Sequence, residues 1–386
     1  MKICIVTGTR AEYGLLYWTI KKLIFDKYFE VQLIVTGMHL SPEFGLTYKQ
    51  IEDDGIKIDR KIEMLLSSDT STGISKSIGV GIIGFADAYK DLKPDLVLLL
   101  GDRFEVFSAA TAAMITKIPI AHCHGGEATE GLIDEPIRHS ITKMSHIHFT
   151  STEEYRKRVI QLGEQPNRVF NIGALGIENI NKLKLLNKIN FENSIDLKLS
   201  SKVFLITFHP VTLEKSTAEE QFKNLLLALK TFKNITFIFT LPNADNDGRI
   251  IIDLIHDFVS KNKNISKAYT SLGQLRYLSA IKHSDLVIGN SSSGLIEVPS
   301  FKKPTINIGD RQRGRVFGPS VINCKPIKKE IIKSIEIALS NKFNQKLLST
   351  KNPYGSRNSS IEIVRILKKI SVGSDLVKKR FYNLGQ

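Results

Sequence analysis

Short apolar runs that end in glycine or a polar turn alternate along this chain with longer amphipathic stretches. "KICIVTG", "VQLIVTG", "DLVLLLGD", "IPIAHCHGG", "HIHFTST" and "VFNIGALG" each read as a buried strand. Between them, "RAEYGLLYWTIKKLIFD" and "GIIGFADAYKDLK" carry apolar residues at helical spacing. Such alternation predicts right-handed βαβ units, a parallel sheet with helices on both faces. After about residue 180 the rhythm gives way to a Lys/Asn/Ser-rich connector, "NKLKLLNKINFENSIDLKLSSK", and a second series opens with "VFLITFHP", "ITFIFTLPN", "DLVIGNSS" and "KPTINIG". "SSIEIVRILKKI" reads as a closing helix and "GSDLVKKRFYNLGQ" as a tail of low order. The expected fold is therefore α/β, with two Rossmann-like, doubly wound domains at 1–180 and 200–370 and a tail at 371–386.

Length agrees with this division, since 386 residues exceed the usual size of a single core. A formal net charge of +15 raises nucleic-acid binding, but the lysines are scattered through helix-like segments and form no block with interleaved aromatics. A small anionic substrate or a well-solvated surface accounts for the charge as well. Cys4, Cys123 and Cys324 are odd in number and lack metal-ligand spacing, which fits buried thiols in a reducing compartment. The apolar run of "MKICIVTGTR" is too short for a signal peptide, and no later run approaches the ~18 residues of a membrane span. A soluble, cytoplasmic protein without membrane or nucleic-acid partners is expected.

In open α/β sheets ligands bind outside the carboxyl ends of the strands. The residues there are Arg10, His39, Asp102, Arg103, His122 to Glu127, His209, Asn243 and Ser291 to Ser293. Two domains whose strand ends face one another across a cleft would gather them. In "VIGNSSSGLIEVPSFKKPTINIG" a strand runs into a small-residue loop and then a helix beginning near Gly294, a junction that presents backbone N–H groups and a positive dipole end to an anion. Ser291 and Ser292 would add hydroxyl donors and Arg10 a fixed charge. Serines also cap helices for structural reasons alone. Glu297, one turn into that helix, is either a solvated residue or a carboxylate accepting from paired hydroxyls such as those of a ribose.

Seven stretches, "TGTRAEYG", "VTGMH", "GDRFE", "IRHSITKMSHIH", "FHPVT", "GNSSSGLIEVPS" and "IGDRQRGR", resemble, in order and spacing, the hydrolysing UDP-N-acetylglucosamine 2-epimerases, most of all their bacterial capsule branch. The resemblance implies a glycosyltransferase-B-type pair of domains, with the active site in the cleft and UDP held mainly by the second. It implies nucleotide and diphosphate contacts at Arg10, His209, Asn243, Ser291, Ser292, Glu297 and Arg311, with Arg103 as a further candidate. Acid/base carboxylates fall on Asp102 and Asp134. Part of the family reads His-x-Glu-Gly-Gly-Glu where this chain has "HCHGGE", so His124 replaces a carboxylate considered catalytic there and Glu127 is the nearest that remains.

The implied reaction converts UDP-N-acetylglucosamine to N-acetylmannosamine and UDP, the opening step of sialic acid synthesis. No carbonyl acidifies the C2 hydrogen, so its removal is feasible only if the C1–O bond to UDP breaks with it. The diphosphate departs against the cationic cradle, and the glycal then takes water at C1 and a proton at C2 on the opposite face. Two faces require two proton-transfer groups, which Asp102 and Asp134, with Glu127 or His124, would supply. No cofactor or metal is needed, and the histidines of "HCHGGE" lack further ligands at coordinating spacing. His139, His146 and His148 read as packing and hydrogen-bonding residues. Rival readings are a hydrolysing epimerase for GDP-N-acetylglucosamine or for a 2,4-diacetamido-trideoxy sugar of the legionaminic acid route, a non-hydrolysing epimerase, a two-domain glycosyltransferase and a non-catalytic nucleotide-sugar sensor. The family suggests a homodimer or tetramer.

Overall fold

The computed structural model describes residues 1–66, 70–130, 132–210, 218–242, 248–355 and 358–385. Among these, thirteen strands form two all-parallel sheets. The first joins β1 (Lys2–Thr7), β2 (Glu30–Thr36), β3 (Arg60–Ile62), β4 (Leu96–Leu100), β5 (Ile120–Cys123), β6 (Ile147–Thr150) and β7 (Val169–Asn171) in the order β3-β2-β1-β4-β5-β6-β7. The second joins β8 (Lys202–Thr207), β9 (Ile235–Thr240), β10 (Ser266–Tyr269), β11 (Leu286–Gly289), β12 (Thr305–Ile308) and β13 (Val321–Cys324) as β10-β9-β8-β11-β12-β13. Both contain the Rossmann order, so each has a switch point where the winding reverses, between β1 and β4 and between β8 and β11.

The apolar runs are continuous because both faces of each sheet are covered. Along β1, Ile3 and Ile5 join one core while Cys4 and Val6 join the other, and β4 divides likewise into Leu96, Leu98 and Leu100 against Val97 and Leu99. The first core is closed by Tyr13, Leu16, Ile20 and Leu23 of the helix Arg10–Phe25. The second is closed by Phe85 and Tyr89 of Ser71–Leu92 and by the alanine-rich face of Phe104–Ile115.

The chain divides into two compact units, one of Met1–Glu127, Asp134–Asn179 and Arg357–Gln386, the other of Ala128–Ile133 and Ile180–Ser356. This corrects the expectation for the closing helix. Ser359–Leu367 belongs to the first unit, not to a second domain running to 370, because Ile363, Ile366 and Leu367 complete the core beneath Arg10–Phe25. Glu178 receives its N-terminus, with Oε2 accepting from the Ser360 N–H at 2.8 Å and Oε1 from the Ser360 hydroxyl at 2.5 Å. The described residues of the tail, 371–385, are ordered too. Lys379 Nζ reaches Glu164 Oε2 at 2.7 Å and donates to the Ser145 carbonyl at 2.5 Å, while the Tyr382 N–H donates to the Gly163 carbonyl. In the second unit the polar connector contains a helix, Lys188–Ile195, whose Phe191 and Ile195 are buried beside Leu183, Leu185 and Leu186. No helix among the described residues is long and apolar enough to cross a membrane.

Candidate active site

In the first unit the chain leaves β1 through Gly8 and Thr9, and Thr9 caps the helix Arg10–Phe25 by accepting from the Glu12 N–H at 3.2 Å. Glu12 turns back so that its Oε2 accepts from the Gly8 N–H at 2.7 Å. Arg10 is therefore the first helical residue, half-buried at the strand end. His39, after β2, contacts Thr7 Oγ1 at 3.1 Å and Thr47 Oγ1 at 2.8 Å. Burial, helped by the Arg10 charge, lowers it to about 4 and keeps it neutral.

After β4, Gly101 at φ +82° turns the chain and sends Asp102 and Arg103 to the sheet edge. Arg103 donates from Nε to Glu105 Oε2 at 3.2 Å and from Nη2 to Oε1 at 3.4 Å. Asp102 is held by Arg138, a wholly buried guanidinium on the helix Asp134–Met144, which donates from both Nε, at 2.7 Å, and Nη2 to Oδ2. Nη1 of Arg138 also donates to the Glu127 carbonyl at 2.8 Å and to Glu135 Oε2 at 2.7 Å. One cation thus ties the β4 loop, the β5 loop and the first turn of the helix that carries Asp134. His122 contacts the Gly101 carbonyl through Nε2 at 2.7 Å, and burial lowers it to about 3.

His124 adopts φ +66°, a left-handed conformation that turns it toward Glu127. Its Nδ1 lies 3.3 Å from Glu127 Oε1, which also accepts from the Ser151 hydroxyl at 3.0 Å. Its Nε2 accepts from the Leu175 N–H at 3.3 Å. Asp102, Arg138, Glu127 and His124 therefore form one connected group. His146 and His148 lie deeper in this unit, bonded to the Ile120 N–H and to Glu164.

In the second unit Asn290 bridges the ends of β8 and β11, its Oδ1 accepting from the His209 N–H and its Nδ2 donating to the His209 carbonyl, both at 2.7 Å. The Asn290 carbonyl accepts from Arg311 Nη1 at 3.1 Å and Gln312 Nε2 at 2.8 Å, which brings the loop after β12 to the same place. Burial, with the Arg311 charge beside it, lowers His209 to about 3. Gly289, at φ +141°, allows this closeness, since a Cβ there would stand 1.8 Å from the Thr207 carbonyl oxygen. The serine loop differs from expectation. Its α-helix is a single turn, Ser293–Ile296, followed by a 3-10 turn, Val298–Phe301, that contains Pro299, so a helix dipole contributes little. Ser292 occupies the N-cap position without a side-chain cap bond, and Ser291 and Ser292 are half-buried at the sheet edge. Near them Tyr277 is raised to about 12 by burial and by the Glu297 charge. Asn243 lies outside the described residues.

Sequence reading missed Arg138, Glu135, Glu12, Glu105 and Ser151 in the first unit, and Asn290, Gln312 and Tyr277 in the second. Helical spacing offered one signal, since Arg138 stands four residues after Asp134 on the same helix face. Among the described residues no group of three or more His, Cys, Asp or Glu side chains is placed to hold a metal ion.

Comparison with known proteins adds identity to this geometry. The sequence profile of the family described as UDP-N-acetylglucosamine 2-epimerase matches residues 21–368. A "GDP/UDP-N,N'-diacetylbacillosamine 2-epimerase (hydrolyzing)" of Campylobacter jejuni is 47% identical over 322 residues, covering 83% of this chain and 84% of that protein. The "polysialic acid biosynthesis protein P7" of Escherichia coli is 44% identical over 387 residues, covering 99% of this chain and 97% of its own. In fold, the crystal structure of UDP-GlcNAc 2-epimerase from Neisseria meningitidis bound to UDP-GlcNAc superposes with a TM-score of 0.81 at 23% identity, over 96% of this chain and 100% of that one. The two Rossmann-like units, with their polar side chains gathered at the carboxyl ends of the strands, are thus those of an enzyme of the UDP-N-acetylglucosamine 2-epimerase family, to which this chain belongs as a hydrolysing 2-epimerase.

Proposed function

We propose that the enzyme converts UDP-N-acetylglucosamine to free N-acetylmannosamine and UDP. The observation that carries the reading is the Arg138 clamp: Asp102 is fixed through Oδ2 at the end of β4, and the same cation fixes the backbone of Glu127 and the helix turn that begins with Asp134. Asp102 and Asp134 are assigned the proton transfers, with Glu127 beside them. One carboxylate takes the C2 proton, the electron pair of that C–H bond becomes the C1=C2 double bond, and the pair of the C1–O bond leaves with UDP, giving 2-acetamidoglucal. Water then adds its hydroxyl to C1 while the other face of C2 receives a proton. His209, Ser291, Ser292, Glu297 and Arg311, with Arg10, Arg103 and Asn243, are assigned to the nucleotide and its diphosphate, whose developing charge the cations stabilise.

The Escherichia coli relative named for polysialic acid biosynthesis, similar along nearly the whole chain, supports this substrate. A second reading, a GDP- or UDP-linked 2,4-diacetamido-trideoxy sugar, draws on the Campylobacter jejuni relative named for GDP/UDP-diacetylbacillosamine. Incubation with each nucleotide sugar in deuterium oxide, followed by proton NMR, decides between them. The expected product is N-acetylmannosamine deuterated at C2. Turnover of the diacetamido substrate alone would move the assignment to the second reading, and release of sugar with protium at C2 would remove epimerisation altogether.

A further inference from the structure

We propose that Glu105 is a positioning residue that holds the Arg103 guanidinium at the carboxyl end of β4, beside the turn that carries Arg10. The inference rests on the reading of Arg103 as a contact of the nucleotide sugar and names what keeps that arginine in place. Glu105 lies in the first turn of the helix Phe104–Ile115, and both of its oxygens face Arg103, with Nε donating to Oε2 at 3.2 Å and Nη2 to Oε1 at 3.4 Å. The pair is unequal. Glu105 is wholly buried, whereas Arg103 keeps 27% of its side chain exposed, so a ligand can meet the arginine and the carboxylate can act only through it. A two-point grip fixes the plane of the guanidinium as well as its position. Glu105 also touches the two neighbouring strand ends. A Cβ at Gly8, after β1, would stand 3.2 Å from its Cβ, and one at Gly37, after β2, would stand 2.8 Å from its Cγ. In that β2 loop Met38 Sδ lies 3.7 Å from Arg103 Nη2. Glu12 approaches from the helix Arg10–Phe25. Its Oε2 accepts the Gly8 N–H at 2.7 Å, while its buried Oε1 meets no hydrogen-bond partner among the described residues. Two carboxyl groups therefore flank Gly8, and the guanidinium grips one of them. Burial and the Glu105 charge raise Glu12 to about 7, with Arg103 and the Gly8 and Thr9 amides opposing the rise. His39, on the β2 side, is turned to Thr7 and Thr47 and stays neutral.

The test separates action through Arg103 from packing alone. Glutamine keeps the volume beside Gly8 and Gly37 but sets an amide donor against one arm of the guanidinium, so Glu105→Gln should lower kcat/KM about ten- to a hundredfold, in the range for a misplaced group. Arg103→Ala should lose at least as much. The double variant should fall within about twofold of Arg103→Ala, because the carboxylate then has nothing left to hold. A packing residue would instead multiply its own loss with that of the arginine. Independently of turnover, carbon-13 spectra of glutamate-labelled protein should show one carboxyl titrating near pH 7 and missing in Glu12→Gln. That titration should move to lower pH in Glu105→Gln, where the repelling charge is gone. It should move to higher pH in Arg103→Ala, where the attracting charge is gone and Glu105 remains, a shift that can be read even if Glu105→Gln fails to fold. Multiplied losses in the double variant, parental kcat/KM in Glu105→Gln, or a Glu12 titration that neither variant moves would each overturn the proposal. Absence of turnover by the parent enzyme on every nucleotide sugar would defeat the functional reading, while the two shifts would still decide whether Glu105 and Arg103 face Glu12 together.

Discussion

Arg138 makes four hydrogen bonds to Asp102, Glu127 and Glu135 from a site with almost no solvent access, and three of the chain segments that form the candidate site meet at it. The planar fork matters as well as the charge, because Nε and Nη2 must reach one carboxylate oxygen while Nη1 serves two others. Arg138→Lys should therefore lower turnover by about ten- to a hundredfold although charge is conserved, and Asp102→Asn by at least about a hundredfold, the range for a lost general acid or base. Both should still bind UDP in calorimetry. Near-parental turnover in Asp102→Asn would reduce the aspartate to a partner of Arg138. Asp102 was legible because an acidic residue directly after an apolar strand is conspicuous. Arg138 was not, since an arginine inside a polar helical stretch normally faces water, and only the three-dimensional meeting of acceptors explains its burial. Glu12 and Glu105 escaped notice for the same reason: nothing local marks them as buried beside Gly8.

The central strands of both sheets were legible because burial on two faces leaves an unbroken apolar run, as in "DLVLLLGD" and "VFLITFHP". The edge strands β3, β10 and β13 were not. "RKI", "SKAY" and "VINC" mix polar with apolar residues because an edge is half solvated. The helix expected after the serine loop also had its limit written in the chain, since Pro299 disfavours helical geometry at the residue before it. Gly289 closes β11 at a distance that admits no side chain. Gly289→Ala should cost about 3 kcal/mol or more of stability, from a conformation reserved for glycine and a collision with the β8 backbone. Urea unfolding checks this, and a change below about 1 kcal/mol would mean that the two strand ends separate easily.

Across the whole molecule, burial lowers five histidines, His39 and His146 to about 4, His122 and His209 to about 3, and His148 below its ordinary value. Unfolded, each takes a proton below about 6.5, whereas folded it stays neutral until those lower values, so stability falls as pH descends through that window. Glu164 extends the loss. Burial opposes its ionisation, but bonds from His148, Lys143 and Lys379 outweigh that and lower it to about 2, so its contribution is lost between its unfolded value of 4.5 and there. Glu12, raised to about 7 by burial and by Glu105, acts in the opposite sense between 4.5 and 7 and offsets only part of the effect. The urea midpoint should therefore be highest near pH 7 to 8 and drop below about 6.5; a level profile from about 7.5 to 5 would contradict the burial of these rings. The first unit, moreover, is interrupted in the chain, with 180–356 lying between Asn179 and the helix Ser359–Leu367 that completes its core. On the ribosome, where domains fold as units while the chain emerges, the second unit can finish first and the first must wait for its last helix, holding the underside of Arg10–Phe25 uncovered throughout. A nascent chain paused before that helix would thus leave open the part of the core that Ile363, Ile366 and Leu367 fill, an apolar surface suited to chaperones of the exit tunnel.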